Sequence, residues 1–151
     1  MYKNGRLRIF NFLLGAVLLS TGGLIYLLFR SRYVLLNRIV LSTDLETVVD
    51  EWRCRATIIN VPEWVIYSLP GGLWAISYIF IIDSLMRHRC YQCRMLWACP
   101  IPLLGLVSEI MQCLGILPGT FDLIDLLFYI TPLFLYSLFI NKQLLSWKES
   151  R

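Results

Sequence analysis

Glu109 and Gln112 stand three residues apart in a run that is otherwise apolar, and Asp122 and Asp125 repeat that spacing just beyond a Pro118-Gly119-Thr120-Phe121 turn. A carboxylate inside an apolar span is costly and marks a candidate functional site. On helices, the i, i+3 spacing puts each pair on one face. A short turn makes the two helices antiparallel neighbours, so the four side chains meet at similar depth. Packed carboxyls raise one another's proton affinity, so one member can carry a proton or act as a general acid. The group as a whole suits a cation, a metal, or a positively charged or hydroxyl-rich head group. Glu109 is then the proton-holding carboxyl, Gln112 its orienting partner, and Asp122 and Asp125 the cation or hydroxyl ligands. Thr120 in the turn and Trp74 beyond the Ser68-Leu69-Pro70-Gly71-Gly72 break complete the binding set, with Trp64 and Trp74 framing a pocket mouth. Plainer roles compete. Asp122 suits a helix N-cap and Asp125 a first-turn acid, and Glu109 suits a protonated carboxyl bonded to Gln112 or a tryptophan.

The elements that must position these residues follow from composition. The chain has 151 residues, of which 58% are hydrophobic and only 16% charged. Its mean hydropathy is +0.65. Soluble chains carry about 25% charged residues. The deficit excludes a disordered tail and a basic nucleic-acid-binding domain, and it argues against a soluble enzyme. The fold class expected is an all-α membrane protein, a single integral domain with four transmembrane helices and an extracytoplasmic amphipathic helix.

The four spans are read at about 9–29, 64–86, 95–117 and 123–140. The first is uncharged over 21 residues, about 31 Å of helix and enough to cross the hydrocarbon core. Its apolar run outlasts the 7–15 residues of a signal peptide, so it reads as an uncleaved anchor. The second would break near Pro70-Gly71-Gly72, the third has Pro100 and Pro102 near its start, and the fourth contains Pro132. Neighbouring helices make such prolines tolerable. Lys3, Arg6 and Arg8, then Arg87, Arg89 and Arg94, then Lys142, Lys148 and Arg151 mark the cytoplasmic side. Both termini and the 87–94 loop are therefore expected inside, and the 30–63 segment and the 117–122 turn outside.

The outer segment reads as a helix over about 44–57. Thr43 to Glu46 has the form of a capping box. Leu45, Val48, Val49, Trp52 and Ala56 then form one apolar stripe. Such a helix lies on the membrane interface or packs over the bundle as a lid or strut, and it offers a surface for a protein partner.

Other chemistry is thinly represented. The single histidine, His88, falls in the inner loop, so an outer Ser-His-Asp mechanism is excluded. There is no phosphate loop, His-Glu-x-x-His or dinucleotide fingerprint. Cys90-x-x-Cys93, with His88 and Cys99, is a weak signal for zinc or redox chemistry. Cys54 and Cys113 share the outer side, where a disulfide is conceivable. Asp83 lies four residues before Arg87 and is expected to form a snorkelling ion pair with it. No metal-ligand set is assigned, and the cofactor is left open.

The stretch Glu109-Ile-Met-Gln112, followed by Gly119-Thr120-Phe121-Asp122-Leu-Ile-Asp125, resembles the second half of the VanZ-like family of small bacterial membrane proteins. That family pairs a Glu-x-x-Gln with an Arg, and then a spaced Asp and an Asn around the next helix start. Glu109, Gln112 and Asp125 match it, and Asp122 falls where the family often has a polar or acidic residue. The Arg place is held by Gly119 or Thr120 and the Asn place by Tyr129. Losing the Arg removes the natural counter-ion of the carboxylates. The resemblance implies an inner-membrane envelope protein, with membrane lipids as partners. Its outer polar cluster would engage a lipid head group, an envelope precursor or an amphiphilic toxin. The rivals are a non-catalytic subunit or scaffold of a larger complex, and a carboxylate- or metal-dependent lipid-linked transferase or hydrolase.

Overall fold

The computed structural model describes residues 2–33, 37, 39–40 and 46–149, with side chains over 5–33, 37, 39–40 and 46–139. The capping box at Thr43, Asp44 and Leu45 lies outside the described residues, as do Arg151 and the side chains of Lys3, Lys142 and Lys148. Among the described residues every regular element is a helix. These are α1 (Tyr2–Phe29), α2 (Glu46–Ala56), α3 (Glu63–Tyr67), α4 (Leu69–Met86), α5 (Tyr91–Ala98), α6 (Pro100–Cys113) and α7 (Leu123–Glu149).

Two of them, α1 over Gly5–Phe29 and α4, are long and apolar enough to cross a membrane. The pair α5 and α6, bent by 42° at their junction, makes a third if taken as one span. Over Leu123–Phe139, α7 is a shorter apolar helix. The expected third span is therefore two helices, and the cause is local. Pro100 lacks an N–H, and its ring crowds the preceding turn. The expected end at Leu117 also moves, to Cys113. Gly115 adopts φ +70°. Its N–H donates to Gln112 O at 3.0 Å, and the Ile116 N–H donates to Met111 O at 2.9 Å. These are the two bonds of a Schellman motif, which closes a helix on a left-handed glycine. The break before Pro70 is as expected: α3 ends at Tyr67 and α4 starts at Leu69.

The packing places small and polar residues inside and large apolar residues outside. Ser68, Ser77, Ser84, Asp83, Arg94 and Glu109 are buried, whereas Leu13, Val17, Leu104 and Leu127 are exposed. Such a surface suits lipid, and close helix contact then depends on small side chains. The most extensive pair is α1 on α4. A Cβ on Gly15 would come within 2.7 Å of Ile81, and one on Gly22 within 2.8 Å of Trp74.

One polar knot ties the bundle at the end opposite the turn at 114–122. Asp83 on α4 is 2% exposed and Arg94 on α5 8%. Arg94 donates to Asp83 Oδ1 through both Nε and Nη2. The Tyr136 hydroxyl of α7 donates to the same oxygen at 2.9 Å, and Asn11 of α1 donates to Oδ2 at 3.3 Å. The expected Asp83–Arg87 pair is thus corrected. Asp83 faces the interior, where α5 delivers Arg94, and Arg87 sits past the last helical turn as the C-cap. The small hydrophobic core of Ile79, Ala98 and Tyr136 adjoins this knot.

Removing one partner of a buried ion pair strands the other charge, which costs about 3–5 kcal/mol. Asp83→Ala should therefore lower the unfolding midpoint in detergent sharply. The double change Asp83→Leu with Arg94→Met, which removes both charges, should recover most of the loss in the same melting assay.

Candidate functional site

The site begins with the end of α1. The last carbonyls of a helix lack partners inside it, and here α2 supplies them. Arg53 donates to Leu27 O at 2.8 Å and also to Arg30 O. Asn37, fully buried, donates to Arg30 O at 3.0 Å and to Ser31 O at 2.9 Å. A further ion pair, Arg32 to Asp50 at 2.8 Å, ties the same chain segment to α2. Of the stripe expected on the outer helix, Val49 and Ala56 are buried, and Val48 and Trp52 are about half exposed.

This clamp fixes Arg30. Its guanidinium lies over the ring of Tyr67 at 4.6 Å and that of Tyr26 at 5.5 Å, in cation–π geometry. Nη2 reaches Tyr67 O at 3.5 Å, while Nε is buried without a partner. Tyr26 in turn packs on Trp74, with ring centroids 5.2 Å apart.

The other wall is built where α6 meets α7. Asp122 caps α7, its Oδ1 accepting from the Ile124 N–H at 2.8 Å. Its own N–H donates to Glu109 Oε2 at 3.4 Å. Glu109, only 5% exposed, is therefore held by the start of α7. The expected partners, Gln112 or a tryptophan, are replaced by this backbone donor, because the helix start presents unpaired N–H groups there. Gln112 packs on the turn. A Cβ on Gly119 would lie 2.8 Å from Gln112 Cδ, and Gly119 holds φ +144°. No larger residue, Arg included, fits that place without moving the turn. One turn along α7, half-buried Asp125 stands beside Arg30 and Ser68. Ser68, 2% exposed, holds its hydroxyl toward that carboxyl. A further turn on, Tyr129 lies between α4 and α6. A Cβ on Gly71 would come within 2.6 Å of its hydroxyl, and one on Gly105 within 2.5 Å of its ring.

These groups enclose a cleft of about 820 Å³. All six residues expected from the sequence line it: Trp74, Glu109, Gln112, Thr120, Asp122 and Asp125. Trp64 lines it as well. Sequence reasoning missed Arg30, Tyr129 and Glu63 as members. The signal for Arg30 was its place directly after the first apolar span, level with the start of the fourth. Four carboxyls, Glu63, Glu109, Asp122 and Asp125, face one guanidinium, a formal balance of −3 when all are ionised. That field favours a cationic ligand, and the lone guanidinium offers one place for an anionic group.

No family model, curated protein or solved structure matches the chain.

The cysteine signals separate from this site. All five cysteines are free, Cys54 and Cys113 included. Among the described residues, no group of three or more His, Cys, Asp or Glu is placed to hold a metal ion. His88 and Cys99 thus do not complete a site with Cys90 and Cys93. The two latter sulfurs share a hydrogen bond at 3.0 Å, with Cys90 as the N-cap of α5. The Cys93 thiol beside it holds the Cys90 pKa below that of an ordinary thiol. The thiolate is the reactive form, so alkylation of Cys90 by iodoacetamide should begin at lower pH than that of a free thiol. Cys93→Ala should shift the rate profile of Cys90 back to higher pH, as read by mass spectrometry across pH 6–10. An unshifted profile would remove the interaction.

Proposed function

We propose that the chain is a VanZ-like bacterial inner-membrane protein whose outer cleft engages the polar head of a membrane amphiphile. It crosses the bilayer four times, with N- and C-termini inside. The observation that carries this reading is the convergence of Glu109, Gln112, Thr120, Asp122, Asp125 and Trp74 on one cleft. Four different regions of the chain contribute to it, at one end of the helices. The knot at Asp83 and the Arg87 and Arg89 loop sit at the other end, on the side where basic residues accumulate. Arg94 is buried on Asp83 and drops out of that loop charge.

The departure from the family pattern also finds an answer. Gly119 cannot carry the missing Arg, yet Arg30, just beyond α1, brings a guanidinium to the same cleft. A positive charge near Asp125 thus comes from another part of the chain. In this reading α7 is the fourth span. The α2 helix is the extracytoplasmic amphipathic element, with half-exposed Val48 and Trp52 turned to the interface or to a protein partner.

Two experiments test it. Glu109→Gln keeps the acceptor for the Asp122 N–H and removes the charge, so it should abolish the envelope phenotype while protein level stays unchanged. Loss of protein would assign Glu109 to the scaffold instead. Threading is read with a membrane-impermeant maleimide on intact cells. Cys54 and Cys90 are both exposed in the fold, so topology alone decides their labelling. Cys54 should react from outside and Cys90 only after permeabilisation, and the reverse pattern would invert the cleft.

A further inference from the structure

A second cavity, of about 660 Å³, runs along α7 and shares Ile124 with the cleft. Its α7 wall is Ile124, Leu127, Phe128, Thr131, Pro132, Leu135, Tyr136 and Phe139, a continuous i, i+3, i+4 stripe. Its α4 wall is Ile76, Ile79, Phe80 and Asp83, on the same periodicity. The groove is mostly apolar from Ile124 downward and passes Asp83, Tyr136 and Asn11, whose polar atoms are bonded to one another, before it ends at Phe139.

We infer that this groove seats one acyl chain of the same amphiphile whose head occupies the cleft, and that the head carries a phosphate and a primary amine. The inference rests on the proposed head-group reading and extends it to the ligand class. Three observations carry it. The groove adjoins the cleft at Ile124, which lines both. From Ile124 to Tyr136 it runs 12 residues of helix, about 18 Å at 1.5 Å per residue, against roughly 15 Å for the hydrocarbon of one leaflet. Phe139 carries the wall one turn further, past the knot at Tyr136, so the groove matches the length of one leaflet's acyl chain. Its volume suits a small ligand, whereas a helix about 10 Å wide and 18 Å long fills roughly 1,400 Å³. At the head end, Arg30 Nε is buried without a partner, and Asp125, with the Ser68 hydroxyl beside it, lines the cleft together with Glu63, Glu109 and Asp122. A phosphate answers the guanidinium, and an ammonium answers the carboxylates and the hydroxyl.

The test uses phosphatidylcholine nanodiscs doped with a phosphatidylethanolamine that bears a diazirine on one chain. Photo-cross-links should map to Leu127, Thr131 and Leu135. Excess unlabelled phosphatidylethanolamine should cut them at least fivefold, and so should Thr131→Phe or Leu135→Phe, either of which fills the groove. In parallel, water-soluble butyl phosphoethanolamine should change the fluorescence of Trp64 and Trp74 in the wild type and in both groove variants, but not in Glu109→Gln. A fluorescence response with cross-links scattered over α1 at Phe10, Leu13 and Val17 overturns the groove and leaves the head-group reading standing. Absence of the fluorescence response overturns the head-group reading and this inference with it. Groove cross-links that neither competition nor Glu109→Gln reduces mean ordinary solvating lipid, and they also overturn it.

Discussion

Asp83 brings a carboxylate to a place that the surrounding helices seal from water, and its burial constrains the rest of the bundle. An unpaired ion there would cost several kcal/mol. The offset comes from Arg94, Tyr136 and Asn11 together, each from a different helix. Four segments must therefore be in register at one end for the charge to be tolerated. Between Asp83 and Trp74, α4 rises about 14 Å at 1.5 Å per residue. Helices stiff over that length carry the register to the opposite end, where α6, α7 and the end of α1 meet at the cleft.

The same logic explains why the chain packs with its polar residues inward. In lipid, large aliphatic side chains gain little by leaving the surface, so helices approach through small residues and shared hydrogen bonds. Gly15 and Gly22 on α1 and Ser77 and Ala75 on α4 do this work in the structure. A glycine pair also admits Tyr129 between α4 and α6, which is how a phenol comes to line the cleft. At the rim, where water returns, the bundle changes its device. Arg53 satisfies the carbonyls that end α1, so a charged side chain of α2 replaces the missing next turn of helix.

Much of this was legible in the sequence because it depended on local rules. Apolar run length set the first helix, and Pro70 set the break before α4. Asp122 was legible as a cap from its residue type and its place before an apolar run. The convergence of Glu109, Gln112 and the two aspartates followed from i, i+3 spacing and a short turn. What failed were partner assignments made from nearby sequence. Asp83 was assigned the nearest arginine on its own helix, whereas the interior offered Arg94, 11 residues on and across a helix boundary. Arg30 was not among the expected site residues, because its local sequence does not show that Arg53 of α2 and Asn37 pin its segment beside Tyr67. In the outer stripe, Val49 and Ala56 are buried while Val48 and Trp52 are half exposed. Periodicity finds a face but does not say how much of it a neighbour covers.

For Asp122, capping and binding are not alternatives. A helix N-terminus carries about half a positive charge, and the start of α7 holds Asp122, Asp125 and, through the Asp122 N–H, Glu109. That dipole, with Arg30, lets several carboxyls sit together without a bound cation, so the acids alone are not the mark of a ligand. The mark is what the dipole leaves unpaired. Asp122 is satisfied at the helix start and Asp125 has the Ser68 hydroxyl beside it, whereas Arg30 Nε is buried with donor capacity unused. Native interiors leave few such groups. An unpaired guanidinium N–H in the wall of a cleft lined by four carboxyls is a place where an added acceptor would relieve a buried donor.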